Sequence, residues 1–439
     1  MPPPTVPRKF APPAPAPAKG ISRRAWVVLL LLGLAGFLFR FDRQVFSILK
    51  TTITGELGLS NTDYGFLVAG FMLTYTLGYF FSGRIVDRWG TEATLWLFLL
   101  GMSLATITTG FVTGFGGLLA ARIVLGACAA GVMPAVLVAV TRWFPAERRA
   151  TAFTLQGAMH NCGAILAPPL VAGISLQAGW PVAFVLPGVI GLGVALALRV
   201  ADSNPPHAEP AGAAGPPKAG WTGITASPLL RRLLIARMCS DPLWFFLFYW
   251  QSAFLQERLG LSLAEVGRLT WIPPAFSVAA TLGLGALNDA MVRAGRPALR
   301  ARLKLLGAVT LLAPATLLLP WIHGSLPAVC ALTLIYGMCN AWLLLTNLLV
   351  ADIVPPRAVG ASFGLISAGG GITSILFNLA AGPLIDAFGH TVVLSVGALM
   401  HPVAWLVLRG LDAPAAGGAD RAINPAAAPC GRDSTARPA

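Results

Sequence analysis

Charge is what this sequence has least of. Of its 439 residues only 11% are Asp, Glu, Lys or Arg, 56% are apolar, and the mean hydropathy is +0.73. Soluble domains carry about 25% charged residues, so a single water-facing core is excluded. Cysteine is sparse too. The six cysteines include no CxxC spacing and five lie in apolar stretches, which leaves reduced packing residues rather than a disulfide framework or a thiolate metal site. No HExxH metal motif occurs, and no polar stretch is long enough for a soluble catalytic or output domain. Neither an enzyme nor a receptor-like sensor is expected, and no cofactor or metal.

What is present is a series of twelve apolar runs, at 26–49, 63–86, 94–112, 115–139, 150–176, 181–199, 230–256, 266–290, 303–321, 326–352, 359–386 and 391–409. About 20 apolar residues cross a bilayer as a helix. The runs are continuously apolar and rich in Leu, Ala and Gly, without the ten-residue alternation of a membrane barrel. The expected fold is therefore all-α and integral to the membrane, with twelve transmembrane helices.

The basic residues give the orientation. If the N-terminus is inside, 24 of the 31 Lys and Arg fall in cytoplasmic segments, so the net charge of +14 reads as a topology signal and not as nucleic-acid binding. Both termini are then cytoplasmic, in a bacterial-type inner membrane. The Pro-rich start reads as a disordered tail over 1–25, and the apolar run behind Arg23 and Arg24 is too long for a signal peptide.

Between Asp202 and Gly220 the chain turns polar and Pro/Gly-rich, so 200–229 reads as a linker between a six-helix bundle at 26–199 and another at 230–409, with a disordered tail over 410–439. The halves look like copies. Pro145 and Pro355, Phe153 and Phe363, and Gly179 and Gly389 each lie 210 apart, while Gly83 and Gly285, and Asp87 and Asp289, lie 202 apart. Two repeated halves with a substrate site between them at mid-membrane is an architecture that transporters use.

The stretch GRIVDRWG, with Gly83, Asp87, Arg88 and Gly90, resembles the loop signature of the major facilitator superfamily, although Thr91 and Glu92 stand where basic residues usually follow. Five further stretches, ELGLSNTDYGFL (56–67), RWFPAERRATAF (142–153), GAILAPPL (163–170), SDPLWFFLFYW (240–250) and ADIVPPRAVGASFGL (351–365), are similar to the anion:cation symporters of hexuronates and galactonates. The resemblance implies alternating-access uptake of a small organic anion with protons by a monomer in the lipid bilayer. It also implies that Asp42 is a protonation site and Arg43 a ligand for the substrate carboxylate. Where the symporters place a glutamate seven residues after Arg122, this chain has Ala129, which puts proton symport in doubt and leaves a uniporter or exchanger as the alternative.

Ionisable residues inside a span cost at least about 2.5 kcal/mol and so mark function. Arg40, Asp42 and Arg43 either snorkel outward or face a cavity. Successive helical residues are about 100° apart, so at least one faces inward. Arg40 departs from the family, and a second cation there suits a dianion or a smaller acid. A guanidinium can hold a carboxylate bidentately while staying charged. Arg122 reads as a gating residue or as a structural ion-pair partner. Arg237 and Asp241, four apart, either pair with each other or serve anion and proton. Tyr75, His160, Asn161, Trp244, Asn347 and Ser367 complete the candidate contacts, each with packing as its plainer alternative.

Overall fold

The computed structural model describes residues 21–201, 205, 227–354 and 359–410. Among these residues every regular element is a helix: α1 (Arg23–Ile48), α2 (Lys50–Leu57), α3 (Asn61–Trp89), α4 (Thr91–Thr109), α5 (Phe115–Trp143), α6 (Ala146–Ala178) and α7 (Trp180–Ala201) in the first half. The second half holds α8 (Pro228–Leu259), α9 (Leu263–Leu269), α10 (Ile272–Arg293), α11 (Ala298–Thr310), α12 (Ala315–Leu318), a 3-10 turn at Leu319–Trp321, α13 (Ser325–Ile353), α14 (Val359–Phe388) and α15 (His390–Leu408). The tails and most of the 200–229 linker lie outside the described residues, as does Cys430.

Ten of these segments are long and apolar enough to cross a membrane, and α3 and α8, of 29 and 32 residues, are long enough to span one, which is consistent with the expected twelve. Large apolar side chains such as Leu282, Leu311 and Leu318 are 72%, 80% and 60% exposed. An apolar skin of this kind is stable against lipid and not against water. Two expected spans are interrupted. The run at 303–321 breaks into α11, α12 and the 3-10 turn, because Pro314 and Pro320 lack the amide hydrogen a continuous helix needs. The run at 266–290 starts earlier and divides at Thr270–Trp271, ahead of Pro273 and Pro274 in the first turn of α10.

Within the first half α3 packs on α5, α1 on α6, and α4 on α5 and α7; within the second, α14 and α15 pack on α8 and α10 on α13. The halves meet chiefly through three pairs, α3 with α14, α6 with α9, and α1 with α8.

The repeat read from the sequence governs this junction. Ser60 and Asp63 form a capping box at the start of α3, and Ser262 and Glu265, both 202 residues on, form the same box at the start of α9. Gly65 and Gly267 obey the same offset. A Cβ on Gly65 would lie 3.0 Å from the Asn378 carbonyl oxygen of α14, and one on Gly267 would lie 3.1 Å from the Pro168 carbonyl oxygen and 2.4 Å from the Ala172 Cβ of α6. Pro168 and Asn378 are themselves 210 apart, as are Ala172 and Gly382. The two crossings between the halves are thus copies of one contact, made close by a missing side chain.

Candidate functional site

The three charges of α1 point two ways. Arg43, 6% exposed, turns to the junction of the halves. Its guanidinium carbon stands 4.9 Å from the ring centre of Tyr75, 5.3 Å from Phe71, 5.4 Å from Phe248 and 5.6 Å from Phe39. Its Nη2 makes a long contact, 3.5 Å, to the Tyr249 hydroxyl, and its buried Nε has no hydrogen-bond acceptor. Phe248 and Tyr249 belong to α8, so one cation touches both halves. Ring faces attract a desolvated cation by about 2 kcal/mol, but they do not accept the N–H bonds a guanidinium can donate.

Arg40, one turn earlier on the same helical face, also looks across the junction. Its guanidinium lies 5.0 Å from the centre of Phe248 and 5.7 Å from that of Trp244, and its Nε too is buried without a partner. Trp244 stacks on Phe248 and leaves its own indole N–H unpartnered.

Asp42 points back into its own half. It is 5% exposed, accepts from the Thr106 hydroxyl of α4 at 2.6 Å, and has its second oxygen free of any partner. Arg122 on α5 is within electrostatic reach of it. That guanidinium is fully buried, sandwiched between Phe46 at 4.2 Å and Phe71 at 4.6 Å, and none of its three nitrogens has a hydrogen-bond acceptor. Ala129, two turns along α5, is 2% exposed and supplies no acid. Among the described residues Arg122 is therefore not one member of an ion pair, one of the two readings its sequence position allows.

In the second half Arg237 is committed. Its Nε donates to both Asp241 oxygens, at 2.8 and 3.0 Å, and its Nη1 to Asn347 Oδ1 at 2.8 Å and Thr346 at 3.5 Å. A Cβ on Gly370 would lie 2.1 Å from Asp241 Oδ2, so the glycine makes room for this pair. His160 Nδ1 lies 3.0 Å from the Gly36 carbonyl oxygen, and its ring stacks on Phe39. Tyr75 continues a stack of rings with Phe39, Phe71 and Tyr79. Asn161 is exposed and Ser367 half-buried; neither makes a side-chain hydrogen bond within the described residues. Asn161 lies seven residues before Pro168, on the face of α6 that meets α9.

The family described as the Major Facilitator Superfamily matches residues 32–376. The chain belongs to that superfamily. It is 24% identical over 424 residues to a D-galactonate transporter of Escherichia coli O6:H1, covering 90% of this chain and 98% of the relative. It is also 24% identical over 406 residues to a hexuronate transporter of Escherichia coli strain K12, covering 87% and 93%. Among solved structures, a bacterial homologue of the human lysosomal transporter Spinster superposes with a TM-score of 0.73 at 21% identity, over 92% of this chain and 98% of that one. That likeness establishes the fold. The protein is a multi-pass membrane transporter, not an enzyme.

In this facilitator the signature loop is a single residue. Gly90 joins α3 to α4 with φ of 80°, a conformation that favours glycine, and its amide closes on the Val86 carbonyl. Arg88 is exposed in the last turn of α3, where a cation suits the helix dipole. The side chain of Asp87 lies outside the described residues, as does any packing about Gly83. The GxSxG pattern from Gly360 to Gly364 falls inside α14, not on the strand-to-helix turn that would expose a nucleophile. His401 is buried beside Trp342 on α15.

One further cluster, of residues far apart in sequence, joins the halves. Lys50, 2% exposed, pairs with Glu257 and bonds Asn61; Glu257 also lies 3.5 Å from His390, and Thr51 bonds Gln256 at 2.6 Å. Asp386 accepts from the Asn61 and Thr62 amides at 3.2 and 2.8 Å, capping α3 from the opposite half. With Ser47 and Tyr64 donating to backbone carbonyls of α8, these contacts seal the halves together at the α3 N-terminus end.

Proposed function

We propose that this transporter carries a small organic anion by alternating access, that the acid docks on Arg43, and that Asp42 takes the coupled proton. One observation carries the reading: a buried guanidinium touches aromatic groups of both halves and has no carboxylate within ion-pair distance among the described residues. Leaving such a charge uncompensated costs several kcal/mol, which a bound carboxylate recovers. An anion there interacts with both halves at once, and that differential contact is what couples binding to rocking. The two curated relatives are named for sugar acids, which supports the same class of cargo.

Asp42 suits the proton because it sits one residue from Arg43, is bonded on one oxygen only, and feels the charge of Arg122. Arrival or loss of an anion at Arg43 changes the field at Asp42 through a few ångströms of low-dielectric protein. Arg237, with Asp241 and Asn347, serves the second half as a pre-neutralised cation able to share a hydrogen-bond donor with the cargo. Tyr75, His160 and Asn161 offer polar atoms on the first half, and Trp244 and Ser367 line the second. The distribution of Lys and Arg supports cytoplasmic termini in a bacterial inner membrane, which puts the sealed Lys50–Asp386 end on the outer side. The uniporter or exchanger reading is favoured by Ala129, which removes the second acid.

Uptake of labelled acids into proteoliposomes, with and without an imposed pH gradient, tests this. Accumulation driven by an acidic exterior supports symport. Uptake of sugar acids or short carboxylates that ignores the gradient points to the uniporter, and no uptake of any acid overturns the proposal.

A further inference from the structure

The Arg43 site has a second cation that the proposed function does not use. Arg40 and Arg43 share one ring: their guanidinium carbons lie 5.0 and 5.4 Å from the centre of Phe248, so they are no further apart than the sum of those distances. Arg40 makes no side-chain hydrogen bond among the described residues, and both Nε atoms are buried and unpartnered. The carboxyls of Asp42 and Asp241 are engaged elsewhere, Asp42 with Thr106 and Asp241 with Arg237. Two like charges one turn apart repel, and nothing in the described protein neutralises either.

The walls around them are mostly rings: Phe39, Phe71, Tyr75, Trp244 and Phe248. The polar groups nearby are few: His160 is committed to Gly36 and Asn347 to Arg237, which leaves the indole N–H of Trp244 and the hydroxyl of Tyr336 without partners. A polyhydroxylated cargo would press several hydroxyls against rings that cannot bond them, and each unsatisfied group costs about 1–3 kcal/mol. Two unpaired forks on an aromatic floor fit a different shape, with an oxyanion at each end and a short carbon body between.

Building on the anion reading above, we propose that the preferred cargo is a compact dianion, such as a short dicarboxylate or a carboxylate with a sulfonate, with Arg43 and Arg40 each holding one end. Arg40 is then the residue that selects charge number. Binding is measured on the purified full-length protein with succinate, its monoamide succinamate, and the monoanionic sugar acid galactonate. Succinate binds at least about tenfold tighter than either monoanion, the factor expected of one additional charge-assisted contact. Arg40→Gln abolishes that preference while leaving succinamate affinity within about threefold, and Arg40→Lys keeps part of it. Equal affinity for succinate and the monoanions in the wild-type protein overturns the dianion assignment while the anion reading stands, and so does equal weakening of all three in Arg40→Gln. If none of the three binds, both readings fall.

Discussion

Arg43 on the first helix of one half reaches the hydroxyl of Tyr249 on the first helix of the other, at 3.5 Å. At that length the bond is near the limit of what counts as one, so it holds the guanidinium in place without satisfying it. Tyr249→Phe is expected to cost less than about 1 kcal/mol of stability and to change acid affinity less than tenfold. Chemical unfolding and equilibrium binding check this. A loss of binding as deep as that from removing Arg43 would show that the hydroxyl, not the cation, holds the cargo.

Asp42→Asn keeps an oxygen to accept from Thr106 and removes only the site for the proton. Uptake driven by a pH gradient should vanish while counterflow of labelled acid persists within a few-fold. Gradient-driven accumulation at wild-type rates in this variant would exclude Asp42 as the coupling group.

Gly382 sits where a Cβ would come within 2.5 Å of the Asn61 carbonyl oxygen. Gly382→Val must therefore force α3 and α14 apart, because the obstacle is backbone. Thr51 and Gln256, in side-chain contact at 2.6 Å, report on this seam. The pair Thr51→Cys with Gln256→Cys should cross-link readily on the natural background and several-fold more slowly beside Gly382→Val. Unchanged cross-linking would mean that the glycine does not limit closure.

Gly370→Ala pushes a methyl onto Asp241 and separates it from Arg237. Breaking a buried pair costs about 3–5 kcal/mol and overpacking about 1–3, so a fall of several kcal/mol in stability is expected. Thermal unfolding in detergent measures it, and a variant as stable as the parent would show that the pair is dispensable.

Helical geometry told that Arg40, Asp42 and Arg43 could not face one way, but not which of them met the other half. That depends on how α1 is rotated between α4, α6 and α8, a tertiary fact with no local trace. The aromatic box was partly legible: Phe39 with Arg43, Phe71 with Tyr75 and Trp244 with Phe248 are each four apart and share a face. The repeat offsets foretold paired elements, and the Gly65 and Gly267 crossings follow the same arithmetic. The cap that Asp386 places on α3 joins residues 324 and 325 apart in sequence, and the Lys50–Glu257 pair spans 207, so neither leaves a pattern in any window of the chain. The breaks at Pro314 and Pro320 were written in the sequence, yet uninterrupted apolar composition outweighed them in placing that span.

Equilibrium binding of a labelled organic acid to purified wild-type protein and to Arg43→Ala, each shown by size-exclusion and circular dichroism to be folded, tests the central claim most directly. Losing one partner of a buried charge pair costs about 2–5 kcal/mol, so affinity should fall at least about thirtyfold in the variant. A folded Arg43→Ala protein that binds the acid as tightly as the parent would contradict the account.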